Sequence, residues 1–365
     1  MKKTEKRAGY YYLYRLYPTL FTSRRNPTPP RGASSILYII CIMVNARLSA
    51  IGMAVPRKLI TNAYYESLID TTDEWIVSRT GIKTRYHAEK DEFTSDLCVR
   101  AVEDLFAQYP EKSMDDVDMI LVATTSPDQP MPSMACRLQY RLSLKKAGAL
   151  DIYAACAGFS YGVVMAKGLI AGGTHKKVLV IGGETLSKIT DFSDRTSCVL
   201  FGDGAGAVLV EADETGNIGA CITGASGEGG PDLYLSGFAD NIDGQPLNMN
   251  RCIVQNGRKV FKWAVTKIAE QMPLLAQANG LSMSEIDWFI PHSANLRIIE
   301  AICNETGFPL EKTLESVVDY GNTSSATIPI ALYNGIKAGK VKRGDRILIF
   351  GFGGGLAYAG TVITW

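Results

Sequence analysis

The chain contains an internal repeat, and this duplication limits its possible folds more than any other feature of the sequence. Three segments of the first half have counterparts in the second half, in the same order and at nearly one offset: residues 113–126 with 282–295, 167–173 with 334–340, and 177–183 with 346–352. Each match is weak by itself. Because all three agree in order and spacing, we interpret the chain as two related halves that share one core.

Each half has the pattern expected of an α/β structure: a helix, an apolar strand, a helix ending in Ala-Gly and a second apolar strand. Continuous apolar runs such as MILVA and KVLVIGG, separated by helical stretches, are typical of parallel strands covered on both faces. We therefore predict two α/β halves, residues 43–215 and 216–365. The first half carries an insertion, ETLSKITDFSDRTSC, between its last two strands, and the second half does not.

The first 42 residues differ from the rest, since they are basic, rich in tyrosine and broken by prolines. They lead into an apolar run, residues 36–44, that is much shorter than the roughly 20 residues needed to cross a bilayer. We interpret residues 1–42 as a disordered extension or a misassigned start, with Met43 opening the domain. A targeting role for this segment stays open, and we predict no stable insertion into a membrane.

Charge and cysteine usage narrow the possible function classes. A formal net charge of +1 argues against a polybasic nucleic-acid-binding protein. The eight cysteines are scattered without a C-x-x-C pair, and with only three histidines a metal site would be hard to assemble. We expect reduced thiols and a cytoplasmic enzyme or binding protein without a metal.

Cys156 is the first candidate for chemistry, because it lies in LDIYAACAGFSYG, where an apolar strand gives way to a helix. At a helix N-terminus, free N–H groups and the helix dipole favour a thiolate, so we expect a lowered pKa for this thiol. Small neighbours would let a substrate carbonyl approach, and backbone N–H groups could bind an oxyanion. A buried structural cysteine is the alternative that this segment alone leaves open.

The repeat places further polar groups opposite Cys156. Superposing the halves brings His292, in WFIPHSANLRI, to the end of a strand equivalent to MILVA, and GNTSSATIP, with Asn322, to the cysteine turn. Catalytic groups in such folds gather at the carboxyl ends of strands, and glycines 353–355 belong to the same region. A core histidine and a simple turn asparagine are the alternatives for each segment taken alone. We expect the other histidines, His87 and His175, to be solvated.

Two glycine-rich segments and a group of basic residues each allow a functional and a simpler structural interpretation. FGDGAGA and GFGGG are rich in glycine, but strand-like sequence follows both, so a dinucleotide-binding loop is disfavoured. Arg258, Lys259, Lys262 and Arg297 could form a solvated basic face, or a landing site on which charge speeds the encounter with an acidic partner protein.

Six segments together resemble one known family: DIYAACAGF, WFIPHSANLRI, GNTSSATIP, GFGGGLAYAG, TTDEWIVSRTGIKTR and VLFGDGAGAVL. They resemble β-ketoacyl-acyl-carrier-protein synthase III, a condensing enzyme of the thiolase superfamily, over residues 44–365. The resemblance implies a thiolase-like five-layered αβαβα fold of two duplicated halves. It also implies a catalytic triad at Cys156, His292 and Asn322, with an oxyanion bound by the backbone N–H groups of Cys156 and Gly354.

The resemblance further implies a reaction and its partners. An acyl-CoA acylates the cysteine, malonyl-acyl carrier protein is decarboxylated, and the resulting carbanion attacks the acyl group to begin fatty-acid synthesis; no cofactor is needed. A homodimer is implied as well. The implied CoA-binding residues are Trp75, Arg79 and Arg195, and the implied carrier-protein contacts are Ser293, Ala294, Asn295, Leu296, Arg297 and Lys262.

Met131 departs from many relatives, which carry an aromatic residue at this border of the acyl pocket across the dimer. A flexible thioether could admit a bulkier primer than acetyl, and this is our hypothesis for the pocket.

The sequence leaves three alternatives to a condensing enzyme of fatty-acid synthesis: a related acyltransferase or ketosynthase of secondary metabolism, a cysteine hydrolase and a non-catalytic subunit.

Overall fold

Two β-sheets organise residues 45–365, the part of the chain that this computed structural model describes; the predicted extension, residues 1–42, lies outside the described residues. Within them the strands are β1 (Asn45–Ala54), β2 (Lys58–Thr61), β3 (Thr84–His87), β4 (Met119–Ala123), β5 (Gly148–Ile152), β6 (Lys177–Thr185), β7 (Asp203–Asp213), β8 (Ile218–Ala225), β9 (Leu233–Leu235), β10 (Asn241–Ile242), β11 (Gln245–Pro246), β12 (Ile253–Gln255), β13 (Trp288–Pro291), β14 (Arg346–Gly353) and β15 (Ala357–Thr364).

The helices lie between and outside these sheets. They are α1 (Asn62–Glu66), α2 (Asp73–Thr80), α3 (Thr94–Gln108), α4 (Met134–Arg141), α5 (Gly158–Ala171), α6 (Gly257–Ala278), α7 (Leu296–Thr306), α8 (Val317–Tyr320) and α9 (Thr327–Lys337). No helix of residues 45–365 is long and apolar enough to span a membrane.

The two sheets repeat one topology. The first has the strand order β1-β7-β6-β4-β5, and the second has β8-β15-β14-β13. In each, the two apolar strands that the repeat predicted to be parallel are parallel: β4 beside β6, and β13 beside β14. Strand β5 is also parallel to β4. The pairs that involve β7 or β15, the last strand of each half, are antiparallel.

The register of the parallel pairs reproduces the sequence repeat. Met119 lies opposite Val178 in the first sheet, and Trp288 lies opposite Ile347 in the second, so both partners are displaced by the same 169 positions. A side-chain bond is repeated too, because Asp118 accepts from the backbone N–H of Lys177, and Asp287 accepts from that of Arg346. The duplication is therefore a property of the fold.

Helices and sheets alternate in five layers. Helices α5 and α9 pack between the two sheets, α3 and α4 cover the outer face of the first sheet, and α6 and α7 cover the outer face of the second. The central helix α5 is apolar on several sides and buries Phe159, Val163 and Ile170, as a helix enclosed on all sides must. This arrangement confirms the predicted thiolase-like αβαβα fold.

Two irregular regions complete the side of the molecule that holds the candidate site. The predicted insertion lies between β6 and β7, and a second excursion between β8 and α6 carries the short strands β9–β12. The turn between β7 and β8 spans the predicted boundary at residues 215 and 216, with the first sheet before it and the second after it. As a boundary between two domains it stays a prediction.

Candidate active site

The four segments that the repeat placed together line one cavity. The cavity has a volume of about 350 Å³, and its wall includes Cys156, His292, Asn322 and the turn 353–355. Cys156 follows β5, His292 follows β13, and Gly353 ends β14, so the site lies at the carboxyl ends of these strands. Most of the remaining wall is apolar, as a pocket for an acyl chain requires.

Cys156 lies in a single 3₁₀ turn, Ala155–Ala157, that runs directly into α5. Ala155 has φ = +44°, a conformation that few residues with a side chain adopt and that is often found at functional sites. The approach of β14 depends on Gly353, because a Cβ there would lie 2.7 Å from Cys156 Cβ and 3.0 Å from Sγ. A glycine at position 353 is thus required by the packing of β14 against the cysteine.

The thiol pKa is opposite to the predicted direction. Cys156 is partly accessible through the cavity, but burial raises the pKa of its thiol to about 12. A hydrogen bond from Ser324 and a backbone N–H group lower this pKa, and the charge of Glu184 raises it further. The expected thiolate at a helix N-terminus is therefore wrong for the free protein: removal of water outweighs the helix.

His292 is buried and held by a hydroxyl. Its Nδ1 lies 2.8 Å from Thr327 Oγ1, which in turn donates to the carbonyl of Ser324 at 3.0 Å. With Thr327 donating to that carbonyl, Nδ1 carries the ring hydrogen and Nε2 has a free lone pair. Burial lowers the pKa of His292 to about 3, so the ring is neutral at physiological pH. Its partner is a hydroxyl, as expected from the lack of a carboxylate in GNTSS.

Asn322 is fixed through both its backbone and its side chain. Its N–H donates to Leu200 at 2.8 Å, and its carbonyl accepts from Gly202 at 3.0 Å, so it pairs with the end of the insertion. Its Oδ1 accepts from the N–H of Ser324 at 2.8 Å. Because Oδ1 is occupied, the amide NH₂ is the group left to donate to a substrate oxygen at the cavity.

A buried carboxylate beside the site was not predicted. Glu184, at the end of β6, accepts from Ser126 Oγ at 2.6 Å, from the N–H of Thr125 at 3.0 Å and from Ser325 Oγ at 3.1 Å. It therefore joins the strand end before Thr125 to the loop that carries Asn322. The signal was present in the sequence, since an acid ends the otherwise apolar run KVLVIGGET.

Arg85 and His87 form a second buried cluster that the sequence did not reveal. The guanidinium of Arg85 donates to Asn62 and to the carbonyl of Val199, just before the residues that pair with Asn322. His87 is buried, with Nε2 3.2 Å from the hydroxyl of Tyr65, so the prediction that it is solvated is wrong. Its loop-like sequence belongs to strand β3, which packs on the core.

The residues that the resemblance assigned to CoA lie partly together. The guanidinium of Arg195 stacks on the Trp75 ring, 4.6 Å from its centroid, and forms a distant ion pair with Asp70 at 3.8 Å. Arg79 is exposed on α2 and makes no ion pair within the described residues. An aromatic ring and two arginines suit an adenine and phosphates, and this assignment stays a prediction.

The implied carrier-protein segment is only partly exposed. Ser293 is fully buried and its Oγ accepts from the N–H of Ser316, so it supports the segment and is not available to a protein partner. Ala294 faces the cavity. Asn295 caps α7, Leu296 packs against Gly81, and these contacts shape the segment from within.

The cations of the basic face have different surroundings. Arg297 is exposed, but its guanidinium donates to the carbonyl of Ser78 and to Glu300. Lys259 pairs with Asp232 at 2.9 Å. Lys262 and Arg258 are exposed and form no ion pair in the part of the chain described. Lys262 is accordingly the carrier-protein residue of the prediction that is most available for contact.

Met131 does not line the cavity of its own chain. It is 85% exposed, on the loop before α4. A place at the acyl pocket therefore requires a second copy of the chain, as the resemblance implied, and this role stays a prediction.

Two family models match the chain: 3-oxoacyl-[acyl-carrier-protein] synthase III over residues 150–227, and its C-terminal domain over residues 276–365. A β-ketoacyl-[acyl-carrier-protein] synthase III of Halalkalibacterium halodurans is 54% identical over 321 residues, with 88% of this chain and 96% of the relative covered. One from Bacillus subtilis is 53% identical over 324 residues, covering 88% and 99%.

Solved structures agree with the sequence relatives. The crystal structure of a β-ketoacyl-[acyl-carrier-protein] synthase III from Thermus thermophilus matches with a TM-score of 0.84 at 42% identity, covering 87% of this chain and 99% of that one. Fold, site geometry and relatives lead to one assignment. The chain belongs to the β-ketoacyl-acyl-carrier-protein synthase III family of condensing acyltransferases.

Proposed function

We propose that this family member condenses an acyl-CoA primer with malonyl-acyl carrier protein through an acyl-Cys156 intermediate, and so begins fatty-acid synthesis. The convergence of Cys156, His292 and Asn322 on one apolar cavity supports this assignment most strongly. No cofactor takes part in the proposed reaction, because the malonyl group supplies the carbanion by losing CO₂.

The first step is transfer of the acyl group. Cys156 Sγ attacks the thioester carbonyl, and the thiol proton passes through His292 Nε2 to the sulfur of the departing CoA. Backbone N–H groups of Cys156 and Gly354 bind the oxyanion that forms on the carbonyl oxygen. Because burial keeps His292 neutral, a lone pair on Nε2 is available to receive the proton during the reaction.

The second step is decarboxylation and condensation. The bond from the malonyl carboxylate to the methylene carbon breaks, CO₂ leaves, and the electron pair forms a thioester enolate. Asn322 Nδ2 and His292 Nε2 donate hydrogen bonds to the enolate oxygen. The enolate carbon then attacks the acyl carbonyl, and collapse of the oxyanion expels the Cys156 thiolate, which takes up one proton from solvent water.

Thr327 lets one histidine serve both steps. A hydroxyl can donate or accept, so Thr327 can accept from Nδ1–H when Nε2 must take a proton. It can equally donate to Nδ1, which leaves the hydrogen on Nε2 for the enolate. The contact of Thr327 with Nδ1 thus supports both tautomers.

The binding partners in this proposal use surfaces already described. Trp75, Arg79 and Arg195 hold the nucleotide end of CoA. The carrier protein docks beside Lys262 and Arg297, with the segment 293–297 shaping the entrance. The cytoplasmic location predicted above is part of the same proposal.

A homodimer is proposed from the edge of the first sheet. Strand β5 ends that sheet, with Leu150 and Tyr153 exposed beside it, and Tyr153 also lines the cavity. Met131 and Tyr140, on the neighbouring α4 region, are more than 80% exposed. A second copy would cover this apolar edge and bring Met131 to the acyl pocket of its partner.

Acyl transfer can be followed directly by mass spectrometry. The protein is incubated with acetyl-, isobutyryl- or isovaleryl-CoA, and we expect an adduct on Cys156 that malonyl-acyl carrier protein discharges with release of CO₂. Cys156→Ser should take up no acyl group, whereas Cys136→Ser, at an exposed cysteine on α4, should behave as the parent. Release of free acid would indicate a hydrolase instead.

The same assay tests two finer points. A strong preference for acetyl-CoA over both branched primers would contradict the hypothesis about Met131. Efficient discharge by malonyl-CoA in place of the malonyl carrier protein would favour a pathway-specific ketosynthase, an alternative that the synthase III relatives do not favour.

A further inference from the structure

Ser324 contacts the surroundings of all three proposed catalytic residues. Its N–H donates to Asn322 Oδ1 at 2.8 Å. Its carbonyl accepts from Thr327, the hydroxyl that holds His292 Nδ1. Its side chain lies on the cavity wall with Cys156. The backbone of Ser324 therefore helps to position Asn322 and His292, whereas no role has yet been given to its hydroxyl.

That hydroxyl is buried and makes no well-formed hydrogen bond within residues 45–365. The turn that Ser324 begins packs on the turn that holds Cys156. Burial raises the pKa of both Cys156 and Glu184, and the nearby Ser324 hydroxyl opposes this rise in each case. A buried hydroxyl without a partner is unfavourable, so its presence calls for a state in which it is satisfied. One proton cannot serve sulfur and carboxylate at once.

The repeat offers an internal comparison. Ser324 begins the 3₁₀ turn before α9, as Ala155 begins the turn before α5, and the two positions are 169 residues apart. Both have positive φ, +48° for Ser324 and +44° for Ala155. Alanine therefore tolerates this backbone conformation, and the feature that distinguishes Ser324 from its counterpart is the buried hydroxyl.

We infer that Ser324 is a further catalytic residue, whose hydroxyl donates a hydrogen bond to Cys156 Sγ as the thiol loses its proton. The inference rests on the proposed role of Cys156 as nucleophile. The anionic sulfur is a stronger acceptor than the thiol, so the bond strengthens as acylation proceeds. Of the titratable groups around the sulfur, Glu184 opposes this ionisation and neutral His292 adds no charge to it.

Ser324→Ala tests the inference, since it removes the hydroxyl and keeps both backbone contacts. We expect single-turnover acylation from acetyl- or isobutyryl-CoA to slow by about tenfold to hundredfold, the usual worth of a hydrogen bond to a charged group. Alkylation of Cys156 by iodoacetamide should need higher pH. Decarboxylation of malonyl-acyl carrier protein, which uses His292 and Asn322, should change less than about threefold.

Two further variants separate the hydroxyl from the backbone. Thr323→Val removes a neighbouring buried hydroxyl that also lacks a partner but does not line the cavity, and it should acylate within about twofold of the parent. Ser324→Gly relieves the positive φ and removes the same hydroxyl, so it should be as slow as Ser324→Ala. If Ser324→Ala fails to fold, Ser324→Gly carries the test.

The outcomes are distinguishable. If the parent protein is acylated on Cys156 and Ser324→Ala matches it in rate and in alkylation profile, the inference is overturned while the proposed function stands. Equal loss of acylation and decarboxylation would also overturn it, because the residue would then act only by position. If the parent takes up no acyl group, the proposed function itself fails.

Discussion

Gly353→Ala should disable Cys156, the proposed nucleophile, while leaving the fold intact. The added Cβ would lie 2.7 Å from Cys156 Cβ, 3.0 Å from its Sγ and 3.1 Å from its N. Carbon atoms in good contact lie about 3.5–4.0 Å apart, so the cysteine turn and β14 must separate by roughly 1 Å. Neither side can yield by a simple rotamer change, since the contacts include the backbone of Cys156.

The expected magnitudes follow from that displacement. Overpacking of this kind costs about 1–3 kcal/mol of folding stability, which a chain of this size tolerates. A misplacement of about 1 Å at a reacting atom slows the chemistry by roughly a hundredfold. We therefore expect acyl transfer to Cys156 to fall far more than the free energy of unfolding.

Other glycines provide a graded series. A Cβ at Gly354 would meet Ala155 Cβ at 3.3 Å, so Gly354→Ala should have a milder effect, and a Cβ at Gly168 in α5 meets nothing within 4 Å. Gly168→Ala should keep the parent rate and stabilise the helix by about 0.5–1 kcal/mol. The measurements are single-turnover acylation and thermal unfolding. Parent-like acylation of Gly353→Ala would refute the described packing of Cys156 against β14.

Three further perturbations test other contacts. Thr327→Val removes the hydroxyl that holds His292 Nδ1, so decarboxylation of malonyl-acyl carrier protein should slow by about tenfold to hundredfold; an unchanged rate would contradict the tautomer argument. Glu184→Gln places an amide NH₂ among hydrogen-bond donors and should lower Tm by about 5 °C or more, whereas Glu305→Gln, on the exposed face of α7, should not; equal Tm values would argue against the network. Burial lowers the pKa of His87 to about 4, so the unfolded chain binds more protons between pH 6.5 and 4; the resulting loss of about 3 kcal/mol on acidification should be absent in His87→Gln, and parallel unfolding curves for the two proteins would refute it.

The arrangement of the site was largely predictable because strands transmit register. An offset found in the sequence became the same displacement in the pairing of β4 with β6 and of β13 with β14. Residues that end equivalent strands therefore meet at one edge, and this brought His292 to Cys156. Asn322 reaches the site from the loop between α8 and α9, which the repeat also placed opposite the cysteine turn. A repeated spacing along the chain is sufficient to place such residues together when the helices and strands between them are regular.

The groups that hold the site were not predictable by the same reasoning. Glu184 meets Ser325 across 141 residues, and Arg85 meets Val199 across 114. Such bonds depend on side-chain direction at the ends of loops, where periodicity carries no information. The one indication in the sequence that Glu184 has buried partners was its position, because an acidic residue is unusual at the end of an apolar strand.

The expectation of a lowered pKa for Cys156 was wrong because it considered the helix N-terminus and left out burial. A helix N-terminus stabilises an anion by about 0.3–1 kcal/mol, and by at most about 2 kcal/mol when partly buried. A rise from 9.0 to about 12 corresponds to roughly 4 kcal/mol in the opposite direction. Since a cavity able to exclude water from an acyl chain also removes water from the thiol, burial must dominate in the free protein. In the proposed reaction, activation of the cysteine therefore depends on groups that act while the thiol loses its proton, and we assign this to the neutral His292 and the hydroxyl of Ser324, which both line the cavity.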